Sequence, residues 1–396
     1  MKRTASVISM LLSGALVVTL GMSNMAGLFP ERVYAVSGTI RTSQLGDNEE
    51  VTIDGDTTII IDGDKTIKYI AGGGTGEGSV TIKGDGVHTL TSKDCINLRY
   101  YDLIIESGKL VIYKGENGGG LAGSNVEING GTVECEGGID AREGHSLTIR
   151  GGNVKSLKSG SVAISCECDL TITGGTIEAF GGLYGLGSTK GKISISGTNT
   201  RVKAGYTEST GGNAIESGTG LVIAPELYVS YPEGGGLSAD GIFIATKKGG
   251  NIPAREIVIE PLKYSLTQEA SSWTKDSGDY TIIINPDEAF DRFSGITIDG
   301  KELSENTDFE KSHGSLKLTI RSAFISKLPE GDHPIVVSFN DGRSLNYNLN
   351  IKAPSPSPLP SPSYNYDDDD DYEPTPVTQP VPDKTANRKA PKTGEV

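Results

Sequence analysis

Four side chains within six residues, Asp140, Arg142, Glu143 and His145, have the types that proton-transfer chemistry requires. Paired carboxylates can share acid and base work across a glycosidic bond when a water fits between them. A lyase reaction asks instead for an Arg or Lys base beside carboxylates that hold calcium. The cluster lies between Gly138 and Ser146, in a stretch that reads as a turn. Charged side chains in a surface turn need no site, and one isolated cluster is weak ground for catalysis. The other histidines, His88, His313 and His333, are scattered along the chain. A non-catalytic protein is therefore expected.

A second set of side chains has the makings of a cation site. Asp54-Gly55-Asp56 and Asp62-Gly63-Asp64 stand eight residues apart. Four carboxylates at paired turns can offer oxygen ligands to calcium. Their spacing matches neither the EF-hand loop nor the nonapeptide calcium repeat. Asp-Gly is also ordinary turn chemistry, so turns are the preferred reading and a structural calcium the alternative. No other cofactor is expected. Cys166 and Cys168 lack the second pair that a structural zinc needs. Cys95 and Cys135 occupy positions filled by Ala in later repeats, which suits small buried hydrophobes.

A third set suits sugars. An aromatic ring stacks on the face of a pyranose, and hydrogen-bonding groups at its border fix the orientation. The candidates are Tyr100, Tyr101, Phe180, Tyr184 and Tyr206. Tyr100 and Tyr101 are adjacent and just ahead of Leu103, so one of the two is expected outside. Phe180 follows the inward Ala179, and Tyr184 lies in the next loop. The plain alternative for each ring is that it covers a corner of the fold.

The elements that position these residues follow from a repeat. Val80-Thr81-Ile82, Leu103-Ile104-Ile105, Val126-Glu127-Ile128, Leu147-Thr148-Ile149, Leu170-Thr171-Ile172, Ile193-Ser194-Ile195 and Leu221-Val222-Ile223 begin 23, 23, 21, 23, 23 and 28 residues apart. Each apolar-x-apolar unit runs into a Gly-rich turn and a second alternating strand. A short fixed period of strand, turn and strand is the signature of a stacked solenoid. One coil per repeat gives a parallel β-helix. The outward column Glu134, Lys155, Glu178, Lys203 alternates in sign on coils about 4.8 Å apart, which favours this register. A small residue followed by Ile recurs at Cys95-Ile96, Gly138-Ile139, Ala163-Ile164 and Ala214-Ile215, marking a tight corner.

Before the repeats, Met1-Lys2-Arg3, an apolar run through Leu20 and Val33-Tyr34-Ala35 form the pattern of a secretory signal peptide. Formal net charge is −15, and the leader contributes +2, so the remainder stands near −17. An acidic chain without a basic stripe argues against nucleic acid as a partner.

Beyond Pro261 glycine thins out and longer strands appear, as in Tyr280–Ile284, Gly295–Ile298, Leu316–Ile320 and Pro334–Phe339. Regularly spaced strands over about 90 residues read as a β-sandwich. Trp273 is its natural core, joined by Phe293, Phe309, Phe324 and Phe339. The stretches Ser272–Gly278, Phe293–Leu303, Leu328–His333 and Asn340-Asp341-Gly342 resemble the X2 family of Ig-like modules, and the likeness covers 264–352. Those modules stand beside carbohydrate-binding and wall domains in Firmicutes, as spacers or weak binders of polysaccharide. The resemblance makes His333 structural and sets Phe309 where the family often has Tyr. The solenoid over 51–260, with Leu170–Ala179 as its clearest unit, resembles secreted clostridial β-helix proteins, many of them carbohydrate-binding and some binding pectic sugars with calcium.

The tail alternates Pro354, Pro356, Pro358, Pro360 and Pro362 with small residues, which favours an extended spacer. Five aspartates follow, Asp367 to Asp371, a self-repelling run. Pro391-Lys392-Thr393-Gly394 resembles a sortase sorting motif, with Ala390 in place of Leu and no apolar span after it. Sortase is thus an implied partner. Without a span to pause the chain in the membrane, release or reversible wall contact is expected.

Together these readings predict an all-β protein. A signal peptide covers 1–35, a parallel β-helix with coils of about 23 residues covers 36–262, an Ig-like β-sandwich covers 263–352, and a disordered Pro/Asp-rich tail covers 353–396. The expected function is non-catalytic binding of a polysaccharide or cell-wall glycan. The protein is expected to be a monomer, secreted or at the wall of a Gram-positive cell, with no transmembrane span in the mature chain. One alternative is a structural spacer or an adhesin for a protein partner. Another is an enzyme of the pectate-lyase or glycoside-hydrolase kind.

Overall fold

The computed structural model describes residues 33–354, apart from 74–76, 116–118, 143, 159, 209–211 and 268–270. The apolar leader, Glu143 and the tail with Pro391, Lys392, Thr393 and Gly394 lie outside the described residues. Val33–Arg41 is already a strand. Val33, Tyr34 and Ala35, assigned to the leader by sequence, pair with Glu50, Val51 and Thr52.

The first part is a parallel β-helix of about seven turns. Its coils have three faces. Face one runs from Tyr69–Gly72 to Asn213–Ser217, face two from Ser79–Gly84 to Gly220–Ile223, and face three from Lys65–Ile67 to Thr200–Tyr206. The long strand Glu50–Ile61 joins faces one and two, pairing Tyr69–Gly72 with its first half and Ser79–Gly84 with its second. Alternation explains the burial. In Leu147–Ile149, Leu147 and Ile149 are buried while Thr148 is partly exposed, and the same pattern holds at Leu170–Ile172.

Each predicted column is a ladder in register. Val80, Leu103, Val126, Leu147, Leu170, Ile193 and Leu221 stand partner to partner up face two. Glu134, Lys155, Glu178 and Lys203 do the same on face three. Only part of that charge column pairs within itself. Lys155 Nζ lies 3.8 Å from Glu178, whereas Lys203 turns to Glu256 at 3.2 Å.

Corners are closed by small polar groups. Ser156 Oγ donates to Ala163 O at 2.7 Å, and Cys135 Sγ, one coil earlier, donates to Gly138 O at 3.1 Å. Ser188 and Ser217 close the far end of face one in the same way. A buried carbonyl left unpaired is costly, so the corner asks for a small donor and both Ser and Cys meet it. All four cysteines are free. Burial pushes the Cys166 thiol up to about 12.

The parallel stack ends in an antiparallel cap. Glu256–Pro261 runs against Thr200–Tyr206, and Leu227–Tyr231 runs against Glu256–Pro261. After Pro261 come two sheets packed as a β-sandwich. One holds Ser265–Leu266, Tyr280–Asn285, Leu316–Ile320 and Phe309–Ser312. The other holds Ser272–Thr274, Ser344–Lys352, Gly331–Phe339, Phe293–Ile298 and Lys301–Glu302. Trp273, Phe309 and Phe339 are core residues, with Phe293 and Phe324 packed at its margin. No helix among the described residues is long and apolar enough to cross a membrane.

Candidate functional site

The five candidate aromatics separate in the structure. Tyr101 is fully buried, and its hydroxyl donates to Ile53 O and Gly73 O at 3.1 and 3.3 Å. It is a core residue, which overturns its reading as a sugar platform. Tyr100 is 50% exposed, as expected of one of the pair, but the guanidinium of Arg142 stands 4.8 Å over its ring. Tyr184 opens a strand of face one. Burial raises its phenol above the ordinary range, and the hydrogen-bonded Glu216 carboxylate adds to this.

Phe180 and Tyr206 come together. Phe180 closes a face-three strand in register with Leu157 below and Gly205 above, and Gly181 beside it pairs with Tyr206. Gly205 has no side chain, so the Phe180 ring settles over its backbone, where a Cβ would stand 2.7 Å from the ring edge. The cap supplies the opposite wall. Its outer strand ends at Tyr231, 53% exposed, followed by Pro232. Phe180, Tyr206, Tyr231, Pro232, Arg255 and Glu256 thus border a groove of about 280 Å³. That is near the ~300 Å³ lower end of ordinary ligand pockets, a size for part of a chain.

Polar groups surround the rings. The Arg255 guanidinium lies 5.5 Å over Tyr206 and donates to Thr207 O at 3.2 Å. Lys203 lies 5.4 Å over Phe180 while pairing with Glu256. Phe180 and Tyr206 thus each carry a cation over the ring, as Tyr100 does, and Tyr231 is the more exposed ring of the three.

No protein-family model matches the chain, and no curated protein matches it in sequence. Among solved structures it is similar in part to a tri-modular family GH5 (subfamily 4) endo-β-1,4-glucanase from Bacillus licheniformis. Identity is 16% and the TM-score 0.20, over 26% of this chain and 19% of that one. A full-length tri-modular endo-β-1,4-glucanase B from Bacillus halodurans aligns at 16% identity with a TM-score of 0.19, over 24% of this chain and 18% of that one. The match spans about a fifth of each enzyme's length.

Asp140, Arg142 and His145, which the sequence does not mark as a catalytic site, each have separate partners. Asp140 points onto face one, where it holds Arg99 at 3.0 Å and accepts from Ser165 Oγ at 2.9 Å. Arg142 is over Tyr100, and the His145 amide closes a turn onto Arg142 O. Nor do the four aspartates converge on a cation. Asp56 accepts from the amide of Ser79, Asp62 from Ser43 and Arg41, and Asp64 from Thr89, while Asp54 is exposed. Among the described residues no three His, Cys, Asp or Glu side chains group to hold a metal. Asp56, Asp62 and Asp64 tie neighbouring coils together, as turn carboxylates do.

Sequence reasoning missed Tyr231, Arg255 and Glu256, because the cap runs against the repeat. The signal was present in Leu227-Tyr228-Val229-Ser230-Tyr231-Pro232, an alternating strand stopped by proline. It also missed a second depression on face one, of about 250 Å³, bordered by Asn97, Arg99, Asp140 and Lys158.

Proposed function

We propose that this protein binds polysaccharide without transforming it, as an exported or wall-located surface protein. The observation that carries this reading is the convergence of Phe180, Tyr206 and Tyr231 on one open groove with Arg255 and Glu256 at its rim. Tyr231, 53% exposed, offers apolar ring surface to the C–H face of a sugar, and Lys203 and Arg255 over the rings of Phe180 and Tyr206 supply donors beside it. The Asp140 cluster gives little to hydrolysis, since that carboxylate is engaged by Arg99 and Ser165. The sandwich, read as an X2-type module, serves as a spacer, and its buried Phe309 offers no ring to a ligand.

A glycan array probed with the whole chain tests the proposal. Phe180→Ala and Tyr231→Ala should each weaken the positive spots by about 1–3 kcal/mol of stacking energy, judged by ring contacts elsewhere. Variants that keep the wild-type melting temperature and full glycan binding would sink it.

A further inference from the structure

The two depressions share one corner of the solenoid. Lys158 pairs in register with Gly181, and Gly181 with Tyr206. Lys158 is therefore two strand steps below Tyr206, about 9.6 Å along the solenoid axis. The Lys158 chain bends over Gly138 onto face one, where a Cβ at 138 would meet its Cδ at 2.5 Å and its Nζ at 3.2 Å. Its ammonium thus reaches the depression beside Arg99.

Charge is arranged alike in both places. Each depression holds one neutralised cation, Arg99 on Asp140 at 3.0 Å in the lower and Lys203 on Glu256 at 3.2 Å in the upper. Each also holds one cation with no ion pair among the described residues, Lys158 in the lower and Arg255 in the upper. On a chain of net charge −15, two unmatched cations on one corner are a local reversal of sign. Glu208 is the opposing carboxylate there, with its Oε1 against the backbone at Gly182.

From this arrangement we infer that the ligand is an anionic polysaccharide lying along the solenoid axis, with acidic groups that reach both cations. The inference rests on the groove being a glycan site. Arg255 stands opposite Tyr206 on the cap strand, one step further up, so Lys158 and Arg255 belong to strands three steps, about 14 Å, apart. A sugar held in the groove then places one acidic group at Arg255, and an acidic sugar further down the chain meets Lys158. Charge-assisted hydrogen bonds are the stronger kind, so these cations select among chains that the rings alone would accept.

Three hexasaccharides test this by calorimetry with the whole chain at low salt. One is neutral glucose, one is galacturonate throughout, and one alternates glucuronate with N-acetylglucosamine. Each acidic chain should bind at least about tenfold tighter than the neutral one, as one charged hydrogen bond supplies. That preference should shrink with salt, fall in Lys158→Gln and Arg255→Gln, and rise in Glu208→Gln. The ratio of affinities is the readout, so a variant that merely folds less well does not mimic the effect. Equal binding of neutral and acidic chains would overturn the inference and leave the groove standing. Binding of none, or binding that survives Phe180→Ala and Tyr206→Ala, would overturn the groove itself.

Discussion

The ring of Phe180 occupies the space that a side chain at position 205 would need. Gly205 is thus part of the groove without touching a ligand. Gly205→Ala should push the ring aside and reduce glycan binding as far as Phe180→Ala does. Its stability cost should stay within the ~1–3 kcal/mol of a local overpacking. Binding at the wild-type level in Gly205→Ala, measured beside its melting temperature, would show that the ring position does not matter.

Part of the groove was legible in the sequence. Phe180 is placed by the repeat, because the inward Ala179 sets its neighbour outside, whereas Ala204 by the same alternation would turn Tyr206, two residues on, inward. Tyr231 and Arg255 are not, since an antiparallel return obeys no coil period and its register depends on pairing across more than 50 residues. The corner column was legible in part for a related reason. Gly120-Leu121 and Gly185-Leu186 sit in the same ladder as Gly138-Ile139, and Leu fills that core position as well as Ile does. Tyr101 misled because the interior narrows there to Gly72, whose missing side chain makes room for the ring.

The charge ladder gives a register test. Lys155→Glu sets like charges against both Glu134 and Glu178. Stability should fall by about 0.5–1 kcal/mol in low salt, and the loss should fade at high ionic strength. Urea melts at two salt concentrations measure it, and a loss indifferent to salt would point to packing instead.

The corner donors are interchangeable in kind. Ser156→Cys should be nearly silent, because Cys135 performs the same task one coil away. Ser156→Val should cost about 1–3 kcal/mol by leaving the buried Ala163 carbonyl unmatched and crowding the corner. Equal stability of the two variants would refute this account of the corner.

Calcium should leave the melting temperature unchanged. Asp56, Asp62 and Asp64 are already engaged by amides of adjacent coils. Asp62→Asn should lower the melting temperature by the same amount with chelator or with calcium. A rise on adding calcium that is lost in this variant would restore the metal reading.

Where solenoid meets sandwich, Asp341 accepts from Tyr264 at 2.6 Å and faces Arg292 at 3.5 Å. Arg292 also donates to Pro225 O, and Arg343 donates to Leu262 O at 2.5 Å. Burial by itself would raise the Asp341 carboxyl. The Tyr264 hydroxyl, the Arg343 amide and the two guanidiniums outweigh it, and the group lies below the usual carboxylate range. Its contribution is therefore complete above about pH 4 and lost as pH falls through the lower folded value. Tyr264 moves the other way, raised first by burial and then by Asp341. It stabilises the fold below about pH 10 and ceases to as pH rises through its folded value. Asp341→Asn should flatten the acid limb of a stability–pH profile, and an unchanged acid limb would show that this carboxylate is not linked to folding.

A stack of like coils has no natural length, since every coil offers the next the same open edge. In this protein the reversal at Glu256–Pro261 supplies the missing terminus. The strand that ends growth is also continuous with the wall of the groove. Insertion of a whole coil between Lys158 and Phe180 would shift the Lys158 depression relative to Tyr231 while leaving the upper rings in place. Coil number thus acts as a ruler, and a lineage that lengthened its solenoid would change the span of ligand it measures before it changed any contact within the groove.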